Sequence, residues 1–271
     1  MVLSVNTNQA AALALQELNR TNDLLNQTQL NITTGLKVNG PKDDPSSFAI
    51  AQNLRGAIAG TQAVKLALST GGSVVNVAVN AGQSIADLLT QAKAKIVQAN
   101  QSGLDAVSRT ALNNDFVALR AQIDTIVATA QFAGTNLIAS GAASLTVLST
   151  VDGSTIGVSA QDLSATGLSI QSLDLTTQSG ASSALDAINT AITTASDKLA
   201  ALGSSAKRIA LQGDFTTKLI DILKDGVGTL VDADLAEESA RLQALQVKQQ
   251  LGVQALSIAN QSPQSILSLF R

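Results

Sequence analysis

From Met1 to Gln16, and again from Gln249 to Phe270, the chain carries no charged residue, although both stretches have the apolar spacing of helices. A helix on the surface of a monomer normally sets charges on its solvated face, where they keep it soluble and add small i,i+4 support. Helical ends whose outer faces are Ala, Gln, Asn and Ser predict helices surrounded by other protein, so that association supplies the missing surface. The spacing is that of a coiled coil. Ala11, Leu18, Leu25 and Ile32 fall at seven-residue intervals, with Leu15 four beyond the first. Leu235, Leu242 and Leu256 share one heptad position and Leu245, Ala259 and Ile266 another, while Gln249 and Gly252 interrupt the seam. Leu18, Leu25, Ile32, Leu235, Leu242, Leu245, Leu256 and Ile266 are therefore the positions expected to carry a polymer interface.

Between the ends, the first helix spans about Val5 to Thr34, with Gly35 as its stop. Leu36 to Asn39 lack a helical repeat, and Asp44 before Pro45 gives an N-cap with proline at the first helical position. A second helix runs from there toward Gln98. Gly56, Gly60 and the Gly71-Gly72 pair each weaken it by up to about 1 kcal/mol relative to Ala, so a break or a close helix contact is expected at Gly71-Gly72. A third helix, about Leu104 to Ala130, places Leu112, Phe116, Leu119, Ile123 and Ile126 on one face. From Phe132 to about Gln178 Ser, Thr and Gly take over. Leu145, Val147 and Val151 alternate ahead of Asp152-Gly153, a two-residue hairpin signal, with Ile156 and Val158 on the return strand. After Gly180 helical spacing resumes at Leu185, Ile188, Ile192, Ala195, Leu199 and Leu202 and continues through Ile209 and Leu219 to Leu223.

The fold class expected is mainly α with a small β region, an α+β chain of long antiparallel helices: a terminal coiled coil plus a helical core domain with β-hairpins. The domain reading takes 1–40 and 229–271 as the two halves of an inner coiled-coil domain. It assigns 41–131, 132–180 and 181–228 to the helices, β-hairpin region and return helix of a core domain.

Composition closes several routes. The 271 residues are 45% hydrophobic, enough for a sizeable core, yet Trp, Tyr, Cys and His are absent and there are five Phe and one Met. Ala, Leu, Ile and Val must do the packing, which favours helices meeting through small side chains. The net charge is -3, with no cluster of Lys and Arg for phosphates, so no nucleic-acid partner is expected. Without His or Cys the usual pairings that activate a Ser or Thr nucleophile cannot be assembled, and an HExxH zinc site is excluded. The chain is expected not to be an enzyme and to need no cofactor or metal. Asp43-Asp44 read as helix capping in preference to a paired-carboxylate site. Asp232, Asp234, Glu237 and Glu238 suit either a divalent cation or the start of the last helix, the second being favoured. The first basic residue is Arg20, so no basic region precedes an apolar run as in a secretory signal. No apolar stretch reaches the roughly 20 residues of a membrane span. A lipid-binding amphipathic helix would show a basic face, which the ends lack.

The segment TLVDADLAEESARLQALQVKQQLGVQALSIANQSPQSILSLFR, Thr229 to Arg271, resembles the C-terminal signature of bacterial flagellins, including Asp232-Ala233-Asp234, Glu237-Glu238 and the ending LSLFR. ITTGLKVNGPKDDPSSFAIAQNL, Ile32 to Leu54, is similar to the flagellin segment joining the terminal helix to the first core helix, with Thr34-Gly35, Asn39 and Asp43-Asp44. Phe132 to Leu137 looks like the point where flagellins pass from helix to β-hairpin. The resemblance implies a short flagellin without the variable outer domain. It also implies a structural subunit that leaves the cell unfolded through the flagellar type III system and polymerises into the extracellular filament used for swimming. The partners implied are further copies in a homopolymer, paralogous flagellins, an export chaperone, and the filament cap and junction proteins. The alternative within the same apparatus is a hook-filament junction protein, against which the ending LSLFR weighs. Glycans on Ser and Thr of the β region are also permitted by the resemblance, although strand and turn chemistry accounts for these residues equally well.

Leu30, Pro41 and Ser47 depart from the residues commoner in the family at those positions. Gln91 and Lys95 replace the usual Arg and Leu in the core-helix segment, Leu89 to Gln98, that resembles the stretch read by the animal innate-immune flagellin receptor. Weak receptor activation is expected; a potent response of reporter cells to purified, endotoxin-free monomer would contradict it.

Overall fold

The computed structural model describes residues 7–267, with side chains to residue 261. Along the chain these form α1 (Gln9–Thr34), α2 (Pro45–Ala99), α3 (Ala106–Thr129), β1 (Gln131–Phe132), β2 (Thr135–Asn136), β3 (Leu145–Leu148), β4 (Thr155–Val158), α4 (Gln178–Val231) and α5 (Leu235–Leu267). The fold is mainly α with two small antiparallel strand pairs, β1–β2 and β3–β4, as the sequence led one to expect.

The helix boundaries follow from local chemistry. The side chain of Asn8 accepts the Ala11 N–H at 3.1 Å, and α1 stops at Gly35, whose φ of 72° suits glycine and whose N–H donates to the Asn31 carbonyl at 2.8 Å. Asp44 caps α2: its Oδ1 accepts the N–H groups of Ser46 and Ser47 at 3.0 and 3.2 Å, and Ser47 Oγ donates to its Oδ2 at 2.6 Å. Asp43 closes the turn before it by accepting from Asn39 and Gly40 N–H at 2.9 and 3.1 Å. Asp105 caps α3 through Ser108 N–H, and Asp234 caps α5 through Ala236 and Glu237 N–H. The buried Arg109 serves the other end of α2, donating to the carbonyls of Ala99 at 2.9 Å and Gln101 at 2.6 Å.

These caps make stability acid-sensitive in a known direction. Hydrogen bonds from Ser47 to Asp44, from Ser108 to Asp105 and from Thr176 to Asp174 lower each carboxyl below its ordinary value of 3.8. A depressed folded-state value means the stabilisation is fully present above 3.8 and is lost as pH falls through the lowered values. Thermal midpoints are therefore expected to be flat above pH 5, about one unit over the ordinary value, and to fall below it. In Asp44→Asn part of this acid slope should disappear; an unchanged slope would show that Asp44 plays no part in it.

The chain divides into two compact units, one made of residues up to Gly56 together with those from Ile222 on, the other of Ala57–Asp221. In the second unit, positions rising along α2 meet positions falling along α4. Gly82 lies against Leu199 and Gly72 against Ile209, so the two helices are antiparallel. Their apolar faces close with α3 around Ile85, Leu89, Ile96, Phe116, Ile123, Ile188 and Leu202, all essentially inaccessible to solvent. The segment after α3 completes this core with Leu137, Val147, Ile156, Leu163, Ile170 and Leu175.

Of the two outcomes expected at Gly71-Gly72, the structure has the close helix contact and not the break: α2 runs unbroken through the pair, and Gly72 lies against Ile209 of α4. The hairpin approaches there too, since a Cβ on Gly71 would lie 2.8 Å from Val147 Cγ1 and 3.2 Å from its Cβ. The hairpin also turns differently. Leu148 pairs with Thr155 and Ser149 N–H donates to the Ser154 carbonyl at 2.8 Å, leaving Thr150–Gly153 as a four-residue loop with Gly153 at φ 89°. Asp152-Gly153 thus ends a longer turn and does not form a two-residue one, since the pairing fixed by buried Val147 and Ile156 sets the register.

The Gly71 contact gives a prediction in which two effects oppose. Alanine favours a helix interior by up to about 1 kcal/mol, but overpacking typically costs about 1–3 kcal/mol. Val147 is 3% exposed and β-branched, so it has little freedom to turn aside. Gly71→Ala is expected to lower the thermal midpoint, while Gly56→Ala, with nothing within 4 Å of the added carbon, should raise it. Stabilisation by both would show that the hairpin yields.

In the first unit a backbone bridge joins Leu36 to Asp232. Lys37 N–H donates to the Val231 carbonyl at 2.8 Å and Ala233 N–H to the Gly35 carbonyl at 2.9 Å. Val38, Ala51 and Val231 bury a small apolar cluster beside it.

Candidate assembly surface

α1 and α5 pair antiparallel. Asn8 Nδ2 donates to the Ala259 carbonyl at 2.7 Å, Gln249 Nε2 to Asn22 Oδ1 at 2.7 Å, and Asn31 Nδ2 to Glu238 Oε1 at 3.1 Å. On α5 the less exposed positions are Glu238, Leu242, Leu245, Gln249, Gly252, Leu256 and Ala259, a strict alternation of four and three. On α1 they include Ala11, Ala14, Leu18, Thr21, Leu25, Thr28 and Ile32.

The structure therefore gathers Leu18, Leu25, Ile32, Leu242, Leu245 and Leu256 on one seam within the chain. Only Leu25 and Leu245, at 8% and 7% exposure, are fully buried there; the other four are half-buried. Leu18 packs over Gly252, where an added Cβ would be 3.3 Å from its Cδ1. Leu235 does not join them. It is 51% exposed at the first residue of α5, where α1 has already ended. The side chain of Ile266 lies outside the described ones.

Sequence reasoning based on leucines missed the polar half of the seam: Thr21, Thr28, Asn31 and Glu238 are all buried. The signal was present in Ala14, Thr21 and Thr28, seven residues apart. Thr21 is tolerated because its hydroxyl donates to the Glu17 carbonyl at 2.8 Å. Val247, Leu251 and Ile258 were missed as well. At i, i+4 and i+11 they share a face of α5 on the side away from the seam, and they are 56%, 57% and 70% exposed. On α1, Leu13, Leu15 and Leu30 are also exposed. Isolated exposed apolar residues need no explanation, but aligned ones on a stretch whose one charge from Val247 to Ile258 is Lys248 mark an interaction surface.

Elsewhere the acidic residues serve structure, Asp44 and Asp234 as caps and Asp43 in its turn. Among the described residues no group of three acidic side chains is placed to hold a metal ion, and no helix is long and apolar enough to cross a membrane. Gln91 is exposed on α2, and Lys95 pairs with Asp115 of α3 at 2.7 Å.

Residues 5–143 match the family model for the bacterial flagellin N-terminal helical region and residues 185–270 that for the C-terminal helical region. Flagellin FljM of Caulobacter vibrioides is 45% identical over 269 residues, covering 99% of this chain and 98% of that one. A flagellin of Brucella melitensis is 37% identical over 281 residues, covering 99% of each. A solved structure from Vibrio parahaemolyticus, described as a flagellar hook-associated protein, aligns with a TM-score of 0.56 at 14% identity, covering 70% of this chain and all of that one, a likeness of fold alone. Matched by both terminal family models and along nearly its whole length by such relatives, the chain belongs to the bacterial flagellins, structural subunits of the flagellar filament.

Proposed function

We propose that copies of this chain polymerise by packing the outward faces of α1 and α5 against one another, building the extracellular filament that turns motor rotation into swimming thrust. The observation carrying this is the contrast between the two sides of the pair. Among the described residues the seam fully buries only Leu25 and Leu245 of its apolar side chains, while the outer side of α5 sets Val247, Leu251 and Ile258 where the described residues after Lys248 carry no charge. Burial that a globular domain would complete within one chain is left for neighbours.

In this reading 1–40 and 229–271 are the halves of an inner coiled-coil domain, and 41–131, 132–180 and 181–228 make up a core domain. The subunit performs no catalysis. It leaves the cell unfolded through the flagellar type III channel, with a chaperone for its C-terminal helix. It then adds beneath a cap protein to a filament that starts at junction proteins and takes in paralogous flagellins. The absence of any Cys, and so of any disulfide, suits passage of an extended chain.

The test is seeded growth: purified monomer is mixed with filament fragments and imaged by negative-stain electron microscopy. Long uniform filaments are expected, with growth lost when either terminus is trimmed. Persistent monomers or short rings in every condition would reject the filament-subunit reading and favour a junction protein.

A further inference from the structure

Asn39-Gly40 is the one Asn-Gly pair in the chain, and it falls in the turn between α1 and α2. An asparagine followed by glycine is the dipeptide most open to spontaneous deamidation, because no Cβ on the second residue obstructs its backbone nitrogen. That nitrogen, once it has lost its proton, attacks the asparagine Cγ. The Cγ–Nδ2 bond breaks, ammonia leaves carrying the proton, and water then opens the cyclic imide to aspartate or isoaspartate.

In the folded chain both reacting groups are held apart from this step. Asp43 Oδ2 accepts the Gly40 N–H at 3.1 Å and the Asn39 N–H at 2.9 Å, and its negative charge opposes loss of the Gly40 proton. The carboxamide is held separately. Asn39 Nδ2 donates to Asn31 Oδ1 at 3.2 Å and to the Leu36 carbonyl at 3.0 Å, so Cγ cannot swing onto the Gly40 nitrogen without surrendering these bonds. Asn31 is itself buried and donates to Glu238 Oε1 at 3.1 Å, which ties the arrangement to α5. Unfolding removes every one of these restraints, since Asn31 and Glu238 are brought to the turn only by the fold.

We propose that Asn39 is a self-deamidation site which the folded corner keeps shut, Asp43 guarding the Gly40 amide and Asn31 holding the carboxamide. A chain that folds promptly keeps its asparagine, and one that stays unfolded loses it. The change is one-way and its product harms the corner. A carboxylate at position 39 has no hydrogen to give Asn31 Oδ1 or the Leu36 carbonyl, and isoaspartate also lengthens the main chain there.

The test incubates full-length wild type at neutral pH, folded in buffer and unfolded in guanidinium chloride. The tryptic peptide Val38–Lys42 is then resolved into its asparagine, aspartate and isoaspartate forms by liquid chromatography and mass spectrometry. The folded chain is expected to convert at least about tenfold more slowly, the equivalent of one hydrogen bond to a charged acceptor. Folded Asp43→Ala, which keeps the Asp44 cap of α2, should convert faster than folded wild type, and Asp43→Asn, which keeps an acceptor and removes the charge, should lie between the two. Gly40→Ala, whose added carbon meets nothing within 4 Å, should fold as wild type and convert far more slowly even when unfolded. Asn39→Asp should melt below Gly40→Ala. Equal rates in folded and unfolded wild type, or folded Asp43 variants that convert no faster than wild type, would overturn the proposal; an Asn39→Asp midpoint equal to that of wild type would overturn the harm to the corner.

Discussion

Monomer carrying Ile258→Asp or Leu251→Asp is expected to fold as wild type and to stop extending filament seeds. Both side chains are more than half exposed in the subunit, so an aspartate there is hydrated and costs the isolated fold little. In the polymer the same position would be enclosed by neighbouring chains. An unpaired charge enclosed in an apolar contact loses several kcal/mol, order-of-magnitude, through desolvation. Every added subunit would bring the same charge, so the loss would apply to every addition. Seeded growth followed by sedimentation should show residual monomer raised at least about a hundredfold, equivalent to about 2.8 kcal/mol. Undiminished growth of either variant would remove the outer face of α5 from the interface. Lys207→Glu, an exposed change in the other unit, serves as the control for a mere alteration of net charge.

Phe116→Ala gives the largest loss expected in the subunit itself. Phe116 is wholly buried within the cluster formed by α2, α3 and α4, and the chain has five Phe and no Trp or Tyr to share that volume. Truncating a buried phenylalanine costs about 3–5 kcal/mol, through lost transfer energy and a residual cavity. That is a large part of a domain's usual stability of about 5–15 kcal/mol. Urea unfolding followed by far-ultraviolet circular dichroism measures it; a loss under about 1 kcal/mol would mean the long helices close over the gap. Such closure is conceivable in a core of Ala, Leu and Ile, which makes the measurement informative about packing between small side chains.

The features that the sequence exposes clearly are those fixed by a few residues acting locally. Asp44-Pro45 starts α2, Gly35 stops α1, and the run from Leu112 to Ile126 declares the face of α3. Family resemblance located the bend after α3, where β1 and β2 turn through Ala133 and Gly134 at φ 49° and 78° and Asn136 donates to the Val127 carbonyl at 2.7 Å. What escaped depends on partners distant in sequence. Gly71-Gly72 leaves a break and a close contact both open until Val147 and Ile209 are known to lie over it, because packing outweighs intrinsic propensity. The end of α4 at Val231 lies past Gly226 and Gly228, beyond where apolar spacing at Leu223 gave out; backbone bonds from Lys37 and Ala233 fix that corner. In the candidate surface, leucine spacing identified the helix pair but not its two sides. Thr21, Thr28 and Asn31 look solvent-facing by residue type and are buried by geometry, whereas Leu235, apolar and in register, is left outside where α1 ends.

The pairing of α1 with α5 has a consequence in time. Asn8 donates to the carbonyl of Ala259, 251 positions further along the chain, so the earliest helix has no partner until almost the last residues have been delivered. The unit from Ala57 to Asp221 contains its whole core and can close while the tail is still in transit. A chain halted before α5 would thus own a finished body and an orphaned first helix, and would offer a growing polymer only half of its contact surface. On the proposed assembly, pairing α1 with α5 would make delivery of α5 a condition for incorporation, a check that needs no separate sensor.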